Sequence, residues 1–193
     1  MTPRNQLYVM LKEPRPGRVK TRLGATIGLT SAAWWFRHQS ARLLREVSRD
    51  PRWQVILAVS PDVAGMASRV WPFDLPRIAQ GEGDLGARMG RILRNAPPGP
   101  RLIIGGDIPD ITRARISGAF GVLRSSDVVF GPATDGGYWL IGASGGSRPL
   151  PAAALDDVRW SSRHALADSV AGFKPLRVGY ADTLKDVDHA EDL

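Results

Sequence analysis

The chain has 193 residues, 43% of them apolar and 23% charged, which is an ordinary composition for a globular protein of about one domain. It contains no cysteine, so disulfides, thiolate zinc sites and cysteine nucleophiles are excluded. The formal net charge of +7 comes mostly from arginines scattered along the chain, without a compact basic run interleaved with aromatic residues, and we therefore expect no nucleic-acid partner.

The amino-terminal region shows no pattern of a targeting signal. Its first apolar run, residues 6–11, is far too short for a signal-peptide core or a membrane span. Together with the missing cysteines, this predicts a cytoplasmic protein without a membrane span. No linker interrupts the sequence, so we expect residues 1–193 to form a single domain.

Short apolar runs alternate along the chain with patterns of helical period. The predicted strands cover residues 6–11, 53–59, 75–79, 102–104, 128–130, 138–141 and 176–178. The predicted helices cover residues 30 or 31 to 47, 62–70, 85–93, 112–123 and 161–170, with a last helical turn at 188–193. This alternation predicts an α/β fold, a Rossmann-like and mostly parallel sheet flanked by helices. Ligands of such sheets bind beyond the carboxyl ends of the strands, which directs attention to the loops there.

The loop after the first predicted strand, residues 12–22, is basic and contains proline and glycine. Lys12, Lys20 and Arg22 offer charges for phosphate groups, and Gly17 lets the backbone approach a ligand closely. The loop matches neither a Walker motif nor a dinucleotide fingerprint. A phosphate-binding loop and a solvated basic loop are equally supported by the spacing alone.

Asp107 directly follows the predicted strand over residues 102–104. A carboxylate at that point is well placed to hold a hard cation such as Mg²⁺ beside a phosphate, with a distant second ligand. The alternative is that Asp107 caps a turn or a helix. We expect the nearby Asp110 to cap the helix that follows.

A third cluster, Asp135, Gly136 and Gly137, lies between two predicted strands. The sequence Asp-Gly-Gly is typical of a β-hairpin turn. It would also suit a site in which the glycines clear space and Asp135 faces the substrate as a base or as an anchor for the acceptor.

Three further segments allow two interpretations each. Asp84 and Arg88 belong either to a capped helix start or to a substrate loop with Arg88 on a phosphate. Trp160 and Ser161 are either core packing with a helix cap or a wall of the acceptor site. The acidic segment 186–193 is by itself typical of a solvated tail.

Taken together, these segments resemble one family in the order of their motifs. The matching segments are residues 12–23, 81–89, 104–110, 131–142, 160–162 and 186–193. They resemble a bacterial family with a GT-A-like fold in the nucleotide-diphospho-sugar transferase superfamily, long catalogued as a domain of unknown function and regarded as glycosyltransferases. Some of its members are associated with arsenosugar biosynthesis.

The resemblance implies a nucleotide over the first loop and a Mg²⁺ or Mn²⁺ ion on Asp107. Glycosyltransferases of the superfamily usually carry Asp-x-Asp at this point, whereas this chain has Asp107-Ile108-Pro109. This Asp-x-Pro motif resembles the one in relatives that transfer nucleotides. In those relatives, a carboxylate late in the chain supplies a second metal ligand. By that similarity, Asp188 becomes the partner of Asp107.

Three functions follow from these expectations. The first is a metal-dependent glycosyltransferase that uses a nucleotide sugar and a small-molecule acceptor. The phosphates of the nucleotide sugar would bind at Lys12, Gly17, Lys20, Arg22 and Arg88. The metal ion would bind to Asp107 and Asp188. The sugar and the acceptor would contact Asp135, Asp84, Gly136, Gly137, Trp160 and Ser161.

The second function is a nucleotidyltransferase that joins a nucleoside triphosphate to a phosphorylated acceptor and releases pyrophosphate. It is suggested by residues 20–23, Lys-Thr-Arg-Leu, which are similar to those of 2-phospho-L-lactate guanylyltransferases. The third is a binding module that has kept the fold and lost the chemistry, motivated by the missing second acid of the Asp-x-Asp pair. The reaction product separates the first two functions, and turnover of any donor excludes the third.

Overall fold

The computed structural model of the chain describes residues 4–72 and 74–185. Its strands are β1 (Asn5–Lys12), β2 (Trp53–Ser60), β3 (Arg77–Ala79), β4 (Arg101–Gly105), β5 (Val128–Pro132), β6 (Tyr138–Ala143) and β7 (Val178–Tyr180). Its helices are α1 (Thr21–Ile27), α2 (Leu29–Val47), α3 (Asp62–Ala67), α4 (Leu85–Asn95), α5 (Arg113–Val122) and α6 (Ala165–Gly172). The expected α/β fold is confirmed.

The strands form one seven-stranded sheet with the order β3-β2-β1-β4-β6-β5-β7. Strands β1 to β4 are mutually parallel where they pair, β6 is antiparallel to both β4 and β5, and β7 runs parallel to β5. The chain order reverses between β1 and β4, which makes a crevice at the carboxyl ends of these two strands. In open α/β sheets, such a reversal point is where ligands bind.

The sheet is covered on both faces, which explains why β1, β2 and β4 are almost continuous apolar runs. Because successive side chains of a strand point to opposite faces, β1 serves two cores. Leu7 and Leu11 pack in the core formed with α2 and α5, whereas Tyr8 packs in the core formed with α4 and α6. The two cores fix the strand ends, and the strand ends hold the loops of the candidate site.

The segment after β1 differs from the prediction, because helix α1 begins at Thr21, within the loop that was expected over residues 12–22. Helix α2 then begins at Leu29, next to Gly28 with φ +89°, and has no side-chain cap at Thr30 or Ser31. The two helices pack closely at Gly24, where a Cβ atom would lie 2.8 Å from Leu29 Cδ2. A seven-residue helix with little apolar periodicity gives too weak a pattern to be found in the sequence.

Other helix starts are partly as predicted. Asp84 caps α4 by accepting a hydrogen bond from the backbone N–H of Ala87 at 2.8 Å. This agrees with the interpretation of this segment as a capped helix start. Thr112 caps α5, so the prediction that Asp110 caps this helix was wrong. Helix α6 begins at Ala165, four residues later than expected, because Ser161 adopts a left-handed conformation with φ +57°. The predicted turn over residues 188–193 lies outside the described residues.

Candidate active site

The loops that follow β1, β3, β4 and β5 meet at one edge of the sheet. Because β1, β2, β4 and β5 run in the same direction, their carboxyl ends share this edge. The loops are residues 13–20, 80–84, 106–112 and 133–137. The segments that the sequence marked as chemical are therefore neighbours in space, apart from residues 186–193, which lie outside the described part of the chain.

Lys20 and Asp107 form an ion pair in the crevice between β1 and β4. The Nζ atom of Lys20 lies 2.8 Å from Oδ2 of Asp107, and the two side chains are 6% and 26% exposed. Lys20 precedes α1 in the left-handed conformation, with φ +43°, which is unfavourable for a residue with a Cβ atom. Such backbone strain is typical of functional sites, where the surrounding structure holds it in place. The sequence marked both residues but did not pair them.

The other basic residues of the first loop lie further out. Lys12, at the end of β1, and Arg22, in the first turn of α1, are exposed. Gly17 has φ +74°, so its position favours glycine because of the backbone conformation. These residues stay candidates for binding phosphate, with Lys20 the most enclosed of the cations in this loop.

Arg88 belongs to a polar network that the sequence did not reveal. Its guanidinium donates to Ser60 Oγ at 3.2 Å, to Gln80 Oε1 at 3.3 Å and to the carbonyl oxygen of Gly83 at 3.0 Å. The amide of Gln80 in turn donates to the carbonyl oxygen of Ala58 at 2.8 Å. Gln80 is only 5% exposed, and its position directly after a short strand was the sole signal in the sequence.

The loop over residues 80–83 is held from two sides. Asp62 accepts a hydrogen bond from the backbone N–H of Gly81 at 3.1 Å. Arg91 donates to the carbonyl oxygens of Gln80 and Glu82. Side chains of α3 and α4 therefore order the loop. Since the carboxylate of Asp84 is engaged as the cap of α4, the contact of Asp84 with a substrate stays a prediction.

The turn over residues 133–137 joins β5 to β6 as the predicted hairpin. Oδ1 of Asp135 accepts a hydrogen bond from the backbone N–H of Gly137 at 2.9 Å, and the side chain is otherwise exposed. Gly136 has φ +89°, and a Cβ atom there would lie 2.6 Å from Cα of Arg163. Gly136 therefore admits the segment before α6, and the space it clears is filled by protein backbone.

A cleft of about 220 Å³ opens beside this turn. Its polar lining residues include Asp135, Ser161 and Ser162, and Gly137 and Trp160 also line it. Trp160 and Ser161 thus line the cleft, and their contact with an acceptor stays a prediction. Gly105 and Ile108, which flank Asp107, line the same cleft. The cleft therefore lies next to the crevice that holds Lys20 and Asp107.

Tyr138 is the aromatic hydroxyl of the cleft. Burial raises its pKa well above the usual value, while a hydrogen bond donated by Ser169 Oγ at 3.2 Å acts in the opposite direction. The phenol consequently remains protonated at neutral pH and is not a base. Asp135 is the carboxylate among the lining residues.

Asp107 alone provides a limited metal site. Among residues 4–72 and 74–185, no group of three or more histidine, aspartate or glutamate side chains could enclose a metal ion. Mg²⁺ is often held by one or two carboxylates together with substrate phosphates, so Asp107 fits a metal that arrives with a nucleotide. The predicted second ligand, Asp188, lies outside the described residues.

One side chain in the first loop was missed by the sequence analysis. Oε2 of Glu13 is buried and has no hydrogen-bond partner in the part of the chain that the structure describes. The backbone N–H of the same residue donates to the carbonyl oxygen of Ser60 at 2.7 Å, which ties the loop to the end of β2.

Helices long and apolar enough to cross a membrane do not occur in residues 4–72 and 74–185. Comparison with known structures confirms the expected fold. A protein from Desulfovibrio desulfuricans G20 with the provisional name nucleotide-diphospho-sugar transferase is 28% identical, with a TM-score of 0.84 over 96% of this chain and 82% of its own. The 4-diphosphocytidyl-2C-methyl-D-erythritol synthase of Anaerococcus prevotii is 10% identical, with a TM-score of 0.58 over 98% of this chain and 94% of its own.

A Mycobacterium tuberculosis protein solved in complex with manganese is 14% identical, with a TM-score of 0.52 over 97% of this chain and 93% of its own. No curated protein matches the sequence. Residues 43–162 match the bacterial family described as an uncharacterized protein conserved in bacteria, DUF2064. Since this match covers more than half of the sequence and includes the turn, the cleft wall and Asp107, the chain belongs to the DUF2064 family.

Proposed function

We propose that the protein is a glycosyltransferase that takes a sugar from a nucleotide sugar and passes it to a small-molecule acceptor. The observation that carries the proposal is the Lys20–Asp107 pair at the reversal point of the sheet, with a cleft for a second substrate directly beside it. The provisional name of the similar Desulfovibrio protein, nucleotide-diphospho-sugar transferase, agrees with this proposal.

The donor's diphosphate would lie over the first loop, with Lys20 as its main cationic contact and Arg22 and Lys12 further out. An ammonium that is 6% exposed interacts with a phosphate more strongly than an exposed one, because it is less screened by water. Arg88 would remain bound to Ser60 and Gln80 and hold that side of the site in shape.

The reaction would begin at the cleft. The acceptor's hydroxyl oxygen forms a bond to the anomeric carbon, its proton passes to the carboxylate of Asp135, and the bond between that carbon and the diphosphate oxygen breaks. The nucleoside diphosphate leaves with the bonding electrons and is held by Lys20. A Mg²⁺ or Mn²⁺ ion on Asp107 would neutralise charge on the leaving diphosphate.

A nucleotidyltransferase remains the second candidate because of one observation. Pro109 stands where Asp-x-Asp enzymes have their second acid, and Ile108 before it is 5% exposed and packs in the core. In that case, the acceptor attacks the α-phosphate and pyrophosphate leaves. Analysis of the product separates the two candidates, since one releases a nucleoside diphosphate and the other pyrophosphate.

The first test is binding of nucleotides to the wild type and to Lys20→Met. We expect one nucleotide sugar, with Mg²⁺ or Mn²⁺, to raise the melting temperature of the wild type, since a ligand at 100 times its Kd adds about 2.7 kcal/mol. Lys20→Met should lose most of this shift because it keeps the side-chain length and removes the charge.

The matched control is Lys174→Met, which makes the same change at an exposed lysine after α6. It should respond to the nucleotide sugar as the wild type does. An undiminished shift in Lys20→Met would contradict the placement of the diphosphate, and a response to a nucleoside triphosphate alone would favour the nucleotidyltransferase.

A further inference from the structure

We propose that the cleft beside Asp107 binds an uncharged acceptor, with an apolar or aromatic body and a hydroxyl or amine that meets Asp135. This inference rests on the proposed function, because it names the chemical class of the second substrate. It also separates a neutral acceptor from the phosphorylated one that a nucleotidyltransferase of the expected type would need.

The charge of the cleft carries the first step of the argument. No lysine, arginine or histidine is among its lining residues in the described part of the chain, and its one ionisable acid is Asp135. A phosphate group is bound in proteins by cations and by several N–H donors. Moving it into an apolar cleft beside a carboxylate would leave its charge without a partner, which is strongly unfavourable.

The walls of the cleft are apolar over most of their surface. They include Met10, Leu85, Met89, Ile108, Ala133, Trp139 and Trp160. The polar side chains of the lining include those of Asp135, Ser161, Ser162, Tyr138 and Trp160, and the hydroxyl of Tyr138 already accepts a hydrogen bond from Ser169. The side chains of the rest of the wall offer no partner to the hydroxyls that a sugar ring carries on nearly every carbon. An apolar body would bind favourably against these walls, because its apolar surface is removed from water.

The size of the cleft limits what enters it. Its 220 Å³ is below the roughly 300–1,000 Å³ of pockets that enclose a drug-sized ligand. An apolar cavity of about 150 Å³ binds benzene, so this cleft has room for one ring or a short chain with a polar end. The edge-to-face contact of Tyr138 with Trp160, with ring centroids 6.3 Å apart, gives it an aromatic side.

Asp135 determines which end of the acceptor reacts. Its carboxylate is held by the N–H of Gly137 through one oxygen, and it lines the same cleft as Gly105 and Ile108, the neighbours of Asp107. An acceptor with its body between Met89 and Trp160 can therefore place a hydroxyl or amine between Asp135 and the donor. A hydroxyl gives its proton to Asp135 as its oxygen bonds to the anomeric carbon.

The test uses two probes that share a body and differ in charge, benzyl alcohol and monobenzyl phosphate. Binding of each to the full chain, without any nucleotide, is measured by ligand-observed NMR titration. We expect benzyl alcohol to bind at least about tenfold more tightly than benzyl phosphate, which corresponds to about 1.4 kcal/mol. Leu85→Lys, at the cleft rim, should weaken the binding of benzyl alcohol. It should reduce the preference for benzyl alcohol over benzyl phosphate to roughly threefold or less.

The matched control is Met66→Lys, since Met66 is 46% exposed and Leu85 is 45% exposed, and Met66 does not line the cleft. It should keep the preference of the wild type. Equal or tighter binding of benzyl phosphate to the wild type, or a preference that is the same in Leu85→Lys, would overturn the proposal. Because no nucleotide is present, either result is independent of the Lys20→Met experiment, which tests the proposed function itself.

Discussion

The two sides of the sheet edge differ in where their charged side chains lie. On the side of β1, β2 and β3, buried or half-buried cations are tied inward, Lys20 to Asp107 and Arg88 to Ser60 and Gln80. On the side of β6 and α6, Arg159 is 62% exposed and forms its ion pair with Asp168 away from the cleft lining. One continuous edge thus presents a charged half and an apolar half, which suits a reaction between a phosphate-bearing donor and a neutral acceptor.

Asp135→Asn tests the apolar half most strongly. The amide oxygen can still accept the hydrogen bond from Gly137, so the turn is kept while the base is lost. If Asp135 removes the acceptor's proton, kcat should fall by about 10²–10⁴-fold. The affinity for the nucleotide sugar, measured by thermal shift, should be unchanged, because that affinity belongs to the charged half. A kcat within about twofold of the wild type would exclude Asp135 as the base.

Gly136→Ala sharpens the comparison through stability. The new Cβ atom would collide with the backbone of Arg163, and the position has φ +89°, so we expect a loss of roughly 2–3 kcal/mol in the free energy of unfolding. The measurement is denaturant unfolding.

The control for this variant is Gly118→Ala in α5, where no atom beyond the neighbouring residues and the backbone of the helix itself lies within 4 Å of the new Cβ. That variant should be more stable by about 0.5–1 kcal/mol, because alanine favours the helix. Equal stabilities of the two variants would show that segment 161–166 does not press on the turn.

The smallest expected effect is on the pH dependence of stability, through the ion pair of Arg159 and Asp168. Hydrogen bonds from the Arg159 side chain lower the pKa of Asp168 to about 2, and the Arg159 backbone N–H adds to this. A pKa below the unfolded value of about 3.9 means that the carboxylate contributes stability above pH 4 and loses it as the pH falls toward 2.

Asp168→Asn should therefore be less stable at neutral pH and should lose less stability between pH 4 and pH 2 than the wild type. Thermal unfolding across that range is the measurement. The exposed Asp156→Asn is the matched control, and its acid profile should follow that of the wild type. Identical profiles for all three proteins would show that the Arg159–Asp168 pair contributes nothing.

The sequence was sufficient for the parts of the fold that depend on long apolar runs and on local hydrogen bonds. It located β1, β2 and the hairpin, and it offered Asp84 as a helix cap, because each of these has a pattern within a few residues. It missed α1, whose packing at Gly24 depends on a contact with another helix. It also missed Ser60 and Gln80, since a buried polar network becomes visible only when the strand ends are side by side.

The candidate site shows the same division. Lys20, Asp107, Asp135 and Trp160 were found as separate motifs because their residue types and neighbours are unusual. The ion pair between Lys20 and Asp107 and the apolar character of the cleft were not predictable. Both arise from the register of β4 against β1 and β6, which brings together residues that are far apart in the chain.

Helix α4 contacts both halves of the edge within a single turn. Leu85 and Met89 line the cleft, while Arg88 reaches the polar network at the ends of β2 and β3. A rigid helix cannot move on one side alone, so a displacement of α4 by one substrate changes the space offered to the other. Such coupling is reciprocal by thermodynamic necessity: the factor by which the donor changes the affinity for the acceptor equals the factor by which the acceptor changes the affinity for the donor.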